Sequence, residues 1–511
     1  MIAEQQAGTL AGTANGNGHR VPVFPLTDLG NAERLVALHG QDIRFVPGVG
    51  WLVWDAKRWT RDKTGELLRR AKLTARSILR EAAQCDDDEL RKKIIAWARA
   101  SESEPRLRAA VSLAQSELPV VAVADDLDGD PWLLTADNGT IDLRTGKLRP
   151  HDRADLITKL AGATYDPDAR SEHWEKFLDR ITGGNVELRA FIQRVAGYTT
   201  AGVTDEEILP FAHGPGATGK STLVEALKAA LGDYAATADF ETFLARRGDA
   251  GVRNDIARLA GARMVVSVEV DDGKRLAEGL VKTLTGGDTV TARFLYAEAF
   301  EFTPRFTLWL VANTRPRVNA DDDAIWRRIL QIPFTVVIPP DERDPELKRA
   351  LRSDATEQSA ILTWLVQGCL EWQRRGLDIP AVVREYTAEY RAENDLLGEW
   401  IADECQLGPD HWTSANDLRA AYEKWCEGAG VKPIDAGRLW GAALKSRGCI
   451  RKKRSAGHGW QGIAPFPPVP RESNNPLSRA DVADVYRIAG NNGERGTLPT
   501  EPAANTHGEA A

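Results

Sequence analysis

The feature that most constrains the fold of this chain is the stretch ILPFAHGPGATGKSTLVEAL, residues 208–227. An apolar strand pattern runs there into a glycine-rich loop and then into a helix pattern that closes at Gly232. Residues 214–221 read GPGATGKS and fit the phosphate-loop pattern GxxxxGK[ST]. Backbone N–H groups of such a loop wrap phosphate oxygens, and the helix start adds partial positive charge. The sequence therefore predicts a nucleotide site, with ATP and Mg²⁺ as the expected cofactors.

The loop pattern also assigns roles to single residues. We expect Lys220 to bridge the β- and γ-phosphates and Ser221 to ligate Mg²⁺. A fortuitous glycine-rich turn is the alternative, and the strand–loop–helix context argues against it. Nucleotide contacts are predicted for Gly214, Pro215, Gly216, Ala217, Thr218, Gly219, Lys220, Ser221 and Thr222.

Hydrolysis also needs carboxylates, and the segment RMVVSVEVDDG supplies an apolar strand that runs into Glu269, Asp271 and Asp272. Acids at the carboxyl edge of a parallel sheet face the phosphate loop. We expect Glu269 to be catalytic, and Glu269 and Asp271 to hold the metal. Val270 separates these two acids, so the division between metal ligand and base stays open. An ordinary solvated turn is the alternative.

Two further segments carry candidate catalytic residues. The apolar strand FTLWLVAN ends in Asn313, whose amide is placed to orient water or sense the γ-phosphate, although such an Asn is commonly a turn residue. Arg327 and Arg328 precede the next strand, and one of them is a candidate arginine finger for a neighbouring subunit. The alternative is that they pair with the acids at 321–323.

The organisation along the chain predicts an α/β protein with several domains. We expect disorder over 1–22, an α+β domain over 23–200, an ATPase core over 201–345, a helical linker or lid over 346–389, a winged-helix-like DNA-binding domain over 390–463 and a disordered tail over 464–511. In the first domain GWLVWDAKRW predicts a hairpin, and Trp51, Trp54 and Trp59 either stack bases or build a small core.

Bulk properties exclude several classes of protein. The net charge of -8 argues against a generally basic nucleic-acid coat, but not against a local groove. The five cysteines are scattered and form no CxxC pair, which argues against a zinc ribbon or a disulfide framework. No apolar run approaches bilayer length and no signal peptide is evident, so we expect no membrane partner.

Four segments in order, GPGATGKS, VVSVEVDDG, KTLTGGDTVTARFLYAEAFEFTPRFTLWLVANTRP and DDDAIWRRI, resemble superfamily 3 helicases. They are most similar to the phage and plasmid primase–helicase family, which is similar to the poxvirus-type primase–helicases. The segment TADNGTIDLRTGKLRPHDRADLITK resembles the domain that precedes the ATPase in that family, and the resemblance covers roughly residues 40–460.

This resemblance implies an AAA+-type, P-loop ATPase that forms a ring, usually a hexamer, and moves along single-stranded DNA in the bacterial cytoplasm. It also implies a β-hairpin within residues 288–301 that points into the ring channel. Arg293 is the expected DNA contact there, with Phe294 and Tyr296 as possible stacking residues and Lys282 as a weaker candidate. Other replication proteins, including a separate primase, are implied partners.

A basic C-terminal segment and one departure from the family complete the expectation. Residues 438–454 contain seven Lys or Arg and no acid, so Arg451, Lys452, Lys453 and Arg454 either bind DNA or form a solubilising surface.

Only about 40 residues precede the matched region, so primer synthesis is not expected. The expected function is an ATP-dependent DNA helicase. A DNA-stimulated initiator or loader, and a non-enzymatic nucleotide-binding scaffold, are the alternatives.

Overall fold

The computed structural model describes residues 13–14, 20–21, 24–244, 254–268, 274–293, 299–429, 431, 433–434, 436, 438–455 and 457–467. The chain divides into two compact units, Met1–Arg391 and Ala392–Ala511. The expected domains over 23–200, 201–345 and 346–389 lie in the first unit. The tails expected to be disordered, 1–22 and 464–511, lie largely outside the described residues.

The amino-terminal part of the first unit combines helices with small antiparallel sheets. Strands β3, β4 and β5 form one sheet, strands β6, β7 and β8 form another, and β1 pairs with β2. The bounds are β1 Thr13–Ala14, β2 Arg20–Val21, α1 Asp28–His39, β3 Ile43–Val46, β4 Gly50–Trp54, β5 Trp59–Arg61, α2 Glu66–Ala83, α3 Asp88–Ser101, α4 Glu104–Leu113, β6 Leu133–Ala136, β7 Gly139–Asp142, β8 Lys147–Arg149, α5 Glu172–Thr182 and α6 Val186–Thr200.

The hairpin predicted in GWLVWDAKRW is confirmed, because β4 and β5 pair antiparallel with Trp54 opposite Trp59. Its turn is held by Asp55, whose Oδ1 accepts the backbone N–H groups of Lys57 and Arg58 at 3.0 and 2.8 Å. Trp59 is fully buried and donates its indole N–H to the carbonyl of Arg153 at 3.0 Å. Trp59 is therefore a core residue and offers no face for stacking bases.

The centre of the first unit is a five-stranded parallel sheet in the order β10-β11-β14-β9-β15. Strands β12 and β13 form a separate antiparallel hairpin before β14. The bounds are β9 Leu209–His213, α7 Lys220–Leu231, β10 Ala235–Asp239, α8 Asn254–Ala257, β11 Met264–Val268, α9 Glu278–Thr285, β12 Val290–Arg293, β13 Ala299–Phe302, β14 Thr307–Ala312, α10 Asp323–Trp326 and β15 Ile329–Pro333.

The sheet is buried on both faces, which explains why its strands read as near-continuous apolar runs. One face carries Met264, Trp309 and Ile332 into a core shared with the helices α5, α6 and α7. The other face carries Val265, Leu308 and other residues into a second core against α8, α9 and α10. The result is a three-layer arrangement with helices on both sides of the sheet.

Three further helices complete the first unit: α11 (Pro345–Ser353), α12 (Ala355–Arg375) and α13 (Ala381–Glu393). Helix α12 packs along α6 in the first core. The two helices cross at Gly197 and Gly368, where a Cβ atom on Gly197 would collide with the backbone nitrogen of Cys369. The segment expected to be a lid is therefore helical and packs against α6, which precedes the parallel sheet.

The second unit has its own core, which includes Trp400, Tyr422, Trp440 and Trp460. Its order is helix, strand, helix, helix and a strand pair, and β16-β18-β17 form an antiparallel sheet. The bounds are α14 Leu396–Glu404, β16 Cys405–Ser414, α15 Ala415–Gly428, α16 Arg438–Ser446, β17 Ile450–Arg454 and β18 Gly457–Pro465. Within the described residues, no helix is both long enough and apolar enough to cross a bilayer.

Candidate nucleotide-binding site

The predicted phosphate loop connects β9 to α7 at the carboxyl edge of the parallel sheet. Gly214 has φ +153°, and a Cβ there would collide with the carbonyl oxygen of Phe334. Gly219 has φ +86°, and a Cβ there would collide with Ile181 of α5. The loop is thus fixed between the end of β15 and the preceding domain, while Gly216 faces open space. This geometry leaves room for phosphates over the middle of the loop.

Lys220 is the first residue of α7, and only 6% of it is exposed. Its ammonium donates to the carbonyls of Gly214 and Pro215, both at 2.7 Å, and to the hydroxyl of Thr218 at 3.1 Å. Burial lowers the pKa of Lys220 from its ordinary value. The present partners of this buried cation are neutral carbonyls and a hydroxyl, whereas phosphate oxygens would be negatively charged partners. The residues present therefore fit a nucleoside triphosphate.

The other loop residues differ in exposure. Ser221 is exposed at the first turn of α7, where its hydroxyl can reach a metal ion beside the phosphates. Thr222 is half-buried, and Thr218 is buried and donates its hydroxyl to the carbonyl of Pro215 at 3.1 Å. Pro215, Gly216 and Ala217 are exposed, and Ala217 adopts φ +60°.

Asn313 lies beside the phosphate loop. Strand β14 runs next to β9 with Ala312 opposite His213, so the next residues along, Asn313 and Gly214, lie side by side. Asn313 is exposed. Strand β11 lies on the other side of β14, and the predicted acids Glu269, Asp271 and Asp272 follow its end. These three acids lie outside the described residues.

Arg327 and Arg328 lie at the opposite, amino edge of the sheet, just before β15. Arg328 is buried. Its guanidinium pairs with Glu207 at 2.6 Å and donates to Thr285 at 3.1 Å and to the carbonyl of Ala324 at 2.6 Å. The side chain of Arg327 is 66% exposed and pairs with Glu207 at 3.2 Å. The acids at 322 and 323 pair instead with Lys282 and Arg391.

A polar group beside the loop was not foreseen from the sequence. His213, the last residue of β9, lies 3.2 Å from the hydroxyl of Tyr386 on α13. Arg315 lies over the ring of Tyr386 and donates to Gln331 at 3.2 Å. Burial, with the charges of Arg315 and Lys220, lowers the pKa of His213 to about 4. The available signal was that His213 directly precedes the loop and that Arg315 follows Asn313 by two residues in the sequence.

The predicted DNA contacts fall in two places. Arg293 is exposed at the end of β12, opposite Ala299 of β13, and the hairpin tip with Phe294 and Tyr296 lies outside the described residues. Lys282 is paired with Asp322 at 2.7 Å. In the second unit Arg451, Lys452, Lys453 and Arg454 are all exposed on β17, an edge strand of its sheet.

Comparison with known proteins finds similar sequences for both halves of the first unit. Residues 32–183 match a family described as D5 N terminal like, and residues 212–328 match a family described as of unknown function. Three viral proteins that carry the name "Putative helicase" are similar to this chain. That of Acanthamoeba polyphaga mimivirus is 29% identical over 297 residues, which are 54% of this chain and 31% of the relative.

The relatives from Frog virus 3 and Invertebrate iridescent virus 6 are 28% and 23% identical over 344 and 322 residues. These matches cover 64% and 56% of this chain and 33% of each relative. The chain thus spans about a third of the length of the curated relatives that it matches. The chain is also similar to the solved apo structure of the NrS-1 C-terminal region, with a TM-score of 0.45 and 12% identity over 84% of this chain and 98% of that chain.

Proposed function

Because this chain belongs to the phage and viral primase–helicase family, we propose that it is an ATP-dependent DNA helicase that moves along single-stranded DNA as a ring, usually a hexamer. The observation that carries this proposal is the sheet order β10-β11-β14-β9-β15, with the phosphate loop after the fourth strand in space. That order brings the loop beside Asn313 and one strand away from the end of β11. It suits a P-loop core of AAA+ type.

In this account each side chain around the loop has a separate task. Lys220 would leave the carbonyls of Gly214 and Pro215 and donate to the β- and γ-phosphates of ATP. The hydroxyl of Ser221 and the carboxylates of Glu269 and Asp271 would hold Mg²⁺, which neutralises charge on the phosphates. Glu269 and Asn313 would activate and orient the attacking water.

The arginine finger would come from a neighbouring subunit. Strand β9 spans roughly 13 Å at about 3.3 Å per residue, and Arg327 lies at the end of the sheet away from its own phosphate loop. Arg327 cannot therefore reach its own site, whereas a ring would bring it to the next one. Arg328 is already held by Glu207, Thr285 and Ala324, so we assign the finger to Arg327 rather than Arg328.

The DNA would be contacted by two exposed basic elements. Arg293, on the hairpin β12–β13, would touch the strand and transmit the effect of hydrolysis, with Tyr296 as a possible stacking residue. The second unit suits a winged-helix domain, because its element order is helix, strand, helix, helix and hairpin. Its strand β17 would then be a wing strand whose basic side chains bind phosphates.

A forked-DNA strand-displacement assay tests the proposal. The protein should separate the strands only with hydrolysable ATP and Mg²⁺, and Lys220→Ala should abolish separation without unfolding the protein. Hydrolysis stimulated by DNA without strand separation would favour an initiator or loader instead. Nucleotide binding without turnover would favour a scaffold.

A further inference from the structure

A basic cleft of about 810 Å³ lies apart from the candidate nucleotide site, between the amino-terminal domain and the parallel sheet. One wall is the β4–β5 hairpin and the turn that follows it. The opposite wall is the start of β10, and Leu127, Thr158 and Lys159 line the space between them. The cleft belongs entirely to the first unit.

The charges that line this cleft do not balance. Its cations are Arg58, Arg61, Lys63 and Lys159, and its acids are Asp62 and Asp233. Asp233 forms an ion pair with Arg58. The remaining acid, Asp62, caps the amino-terminal end of helix α2.

Asp62 accepts the backbone N–H groups of Glu66 and Leu67, at 2.8 and 2.9 Å, at the start of α2. Both acids of the cleft thus already have partners of their own. Among the described residues Arg61, Lys63 and Lys159 have no acidic partner. The four cations of the cleft exceed its two acids by two formal charges, and three of the cations have no ion-pair partner within the described part of the chain, which favours a polyanionic ligand.

The cleft lies on the same edge of the sheet as the hairpin β12–β13. Its residue Ala235 pairs with Met264, and Met264 pairs with Thr307, the first residue after the hairpin's return to the sheet. These residues form one level across three adjacent strands, so roughly 10 Å separates Ala235 in the cleft wall from Thr307, which follows the end of the hairpin at Phe302 by five residues.

A direct contact links the two places. Arg305, between the hairpin and β14, donates to the carbonyls of Asp128 and Gly129 at 2.8 and 3.2 Å. Asp128 follows Leu127 of the cleft wall, and its carboxylate accepts the backbone N–H of Thr158, another cleft residue, at 2.7 Å. The base of the hairpin is thus tied to the wall of the cleft.

We propose that this cleft binds the phosphate backbone of single-stranded DNA through Arg61, Lys63 and Lys159, with the hydroxyl of Thr64 as a further donor. Phosphates rather than bases are recognised, because the one tryptophan of the cleft, Trp59, is fully buried. The site therefore does not depend on DNA sequence. The proposal deepens the proposed function, since the strand that it holds is the one that the hairpin would deliver.

The test is the affinity of the full-length protein for fluorescently labelled oligothymidylate, measured by anisotropy without nucleotide at several salt concentrations. The variant Arg61→Gln, Lys63→Gln, Lys159→Gln should bind about tenfold more weakly at low salt. Its plot of log affinity against log salt should be shallower by about 2, since each neutralised phosphate contributes about 0.7 to the slope for a single strand. Thermal unfolding and ATP hydrolysis without DNA should stay as in the wild type.

The matched control is Lys72→Gln, Arg80→Gln, Lys93→Gln, which removes three exposed cations of α2 and α3 that have no acidic partner among the described residues and lie outside the cleft. This variant should keep both affinity and slope. Wild-type affinity and slope in the cleft variant, or an equal loss in both variants, would overturn the proposal. Because no nucleotide is present, the result is independent of whether the protein hydrolyses ATP.

Discussion

At the scale of single residues, two adjacent arginines with the same chemistry have different surroundings. Arg328 is buried and satisfied within its own subunit, and Arg327 projects into solvent. Sequence alone could not separate them, because burial depends on the packing of Glu207, Thr285 and Ala324 around one side chain. We therefore propose a stability role for Arg328 and a catalytic role for Arg327.

We predict that Arg328→Ala lowers the free energy of unfolding by about 2 to 3 kcal/mol, because it removes a buried guanidinium and leaves the Glu207 carboxylate with only the exposed Arg327 as its partner. Arg327→Ala should change stability by no more than about 0.5 kcal/mol but lower ATP turnover by about a thousandfold or more. Urea denaturation and steady-state hydrolysis measure the two effects.

Mixing provides the control for the Arg327 assignment. Subunits with Arg327→Ala keep an intact phosphate loop, and subunits with Lys220→Ala keep an intact finger. A mixture of the two inactive variants should regain turnover if the finger acts on a neighbour. Persistent inactivity of the mixture would contradict that assignment.

His213 predicts a pH dependence of stability. Its pKa is lowered to about 4 in the folded protein, against an ordinary value of 6.5, so the unfolded chain binds more protons between these values. The stability tied to neutral His213 should be fully present above about pH 6.5 and decline as the pH falls toward 4. Because the ring is partly exposed, the decline should be smaller than the full shift implies.

The check is thermal unfolding of His213→Gln against the wild type from pH 7.5 to pH 4. The glutamine side chain does not titrate, so the melting temperature of the variant should fall less over this range. Parallel curves for the two proteins would mean that His213 does not contribute to the pH dependence.

At the scale of secondary-structure elements, the crossing of α6 and α12 joins the part of the chain before the parallel sheet to the helices that follow the sheet. Gly197 and Gly368 permit this contact, since a Cβ on Gly368 would collide with the carbonyl oxygen of Gln193. The glycine-rich loop rests on the same part of the chain through Ile181 of α5. The amino-terminal domain therefore supports the core directly.

We predict that Gly197→Ala destabilises the protein by about 1 to 3 kcal/mol, because the added methyl group has no space against the backbone of α12. Gly279→Ala is the matched control, since Gly279 lies in α9 with open space around its Cβ position. That substitution should be neutral or stabilising by up to about 1 kcal/mol. Equal effects in urea denaturation would contradict the crossing argument.

The elements that the sequence predicted well are those with a strong local signal. Long apolar runs predicted β9, β11, β14 and β15, and the glycine-rich loop predicted the start of α7. Strand β10 was missed because its sequence, AATAD, has little β propensity. The strand forms because it pairs with β11 at the edge of the sheet. The contact of His213 with Tyr386 was missed because it joins residues 173 positions apart.

At the scale of the whole molecule, the net charge is -8, but some parts of the surface are locally basic. The exposed strand β17 is one of them, and the three unpaired cations of the cleft are another. Sequence could find β17, because its cations are contiguous. It could not find the cleft, because Arg61 and Lys63 meet Lys159 only through the fold.

We predict that replacing Arg451, Lys452, Lys453 and Arg454 by Gln weakens single-stranded DNA binding and lowers its salt slope by about 3, at about 0.7 per phosphate. Hydrolysis without DNA should not change, because these residues belong to the second compact unit. The alternative is that β17 is charged only to prevent edge-to-edge association. In that case light scattering would report aggregation while DNA affinity stayed the same.

The central claim, that this molecule couples ATP hydrolysis to DNA, is tested most directly by steady-state ATP turnover of the purified protein with and without single-stranded DNA. The account predicts turnover that rises with DNA and is lost in Lys220→Ala, whose phosphate loop lacks its buried cation. Turnover that is absent with every DNA, although nucleotide binds, would contradict it.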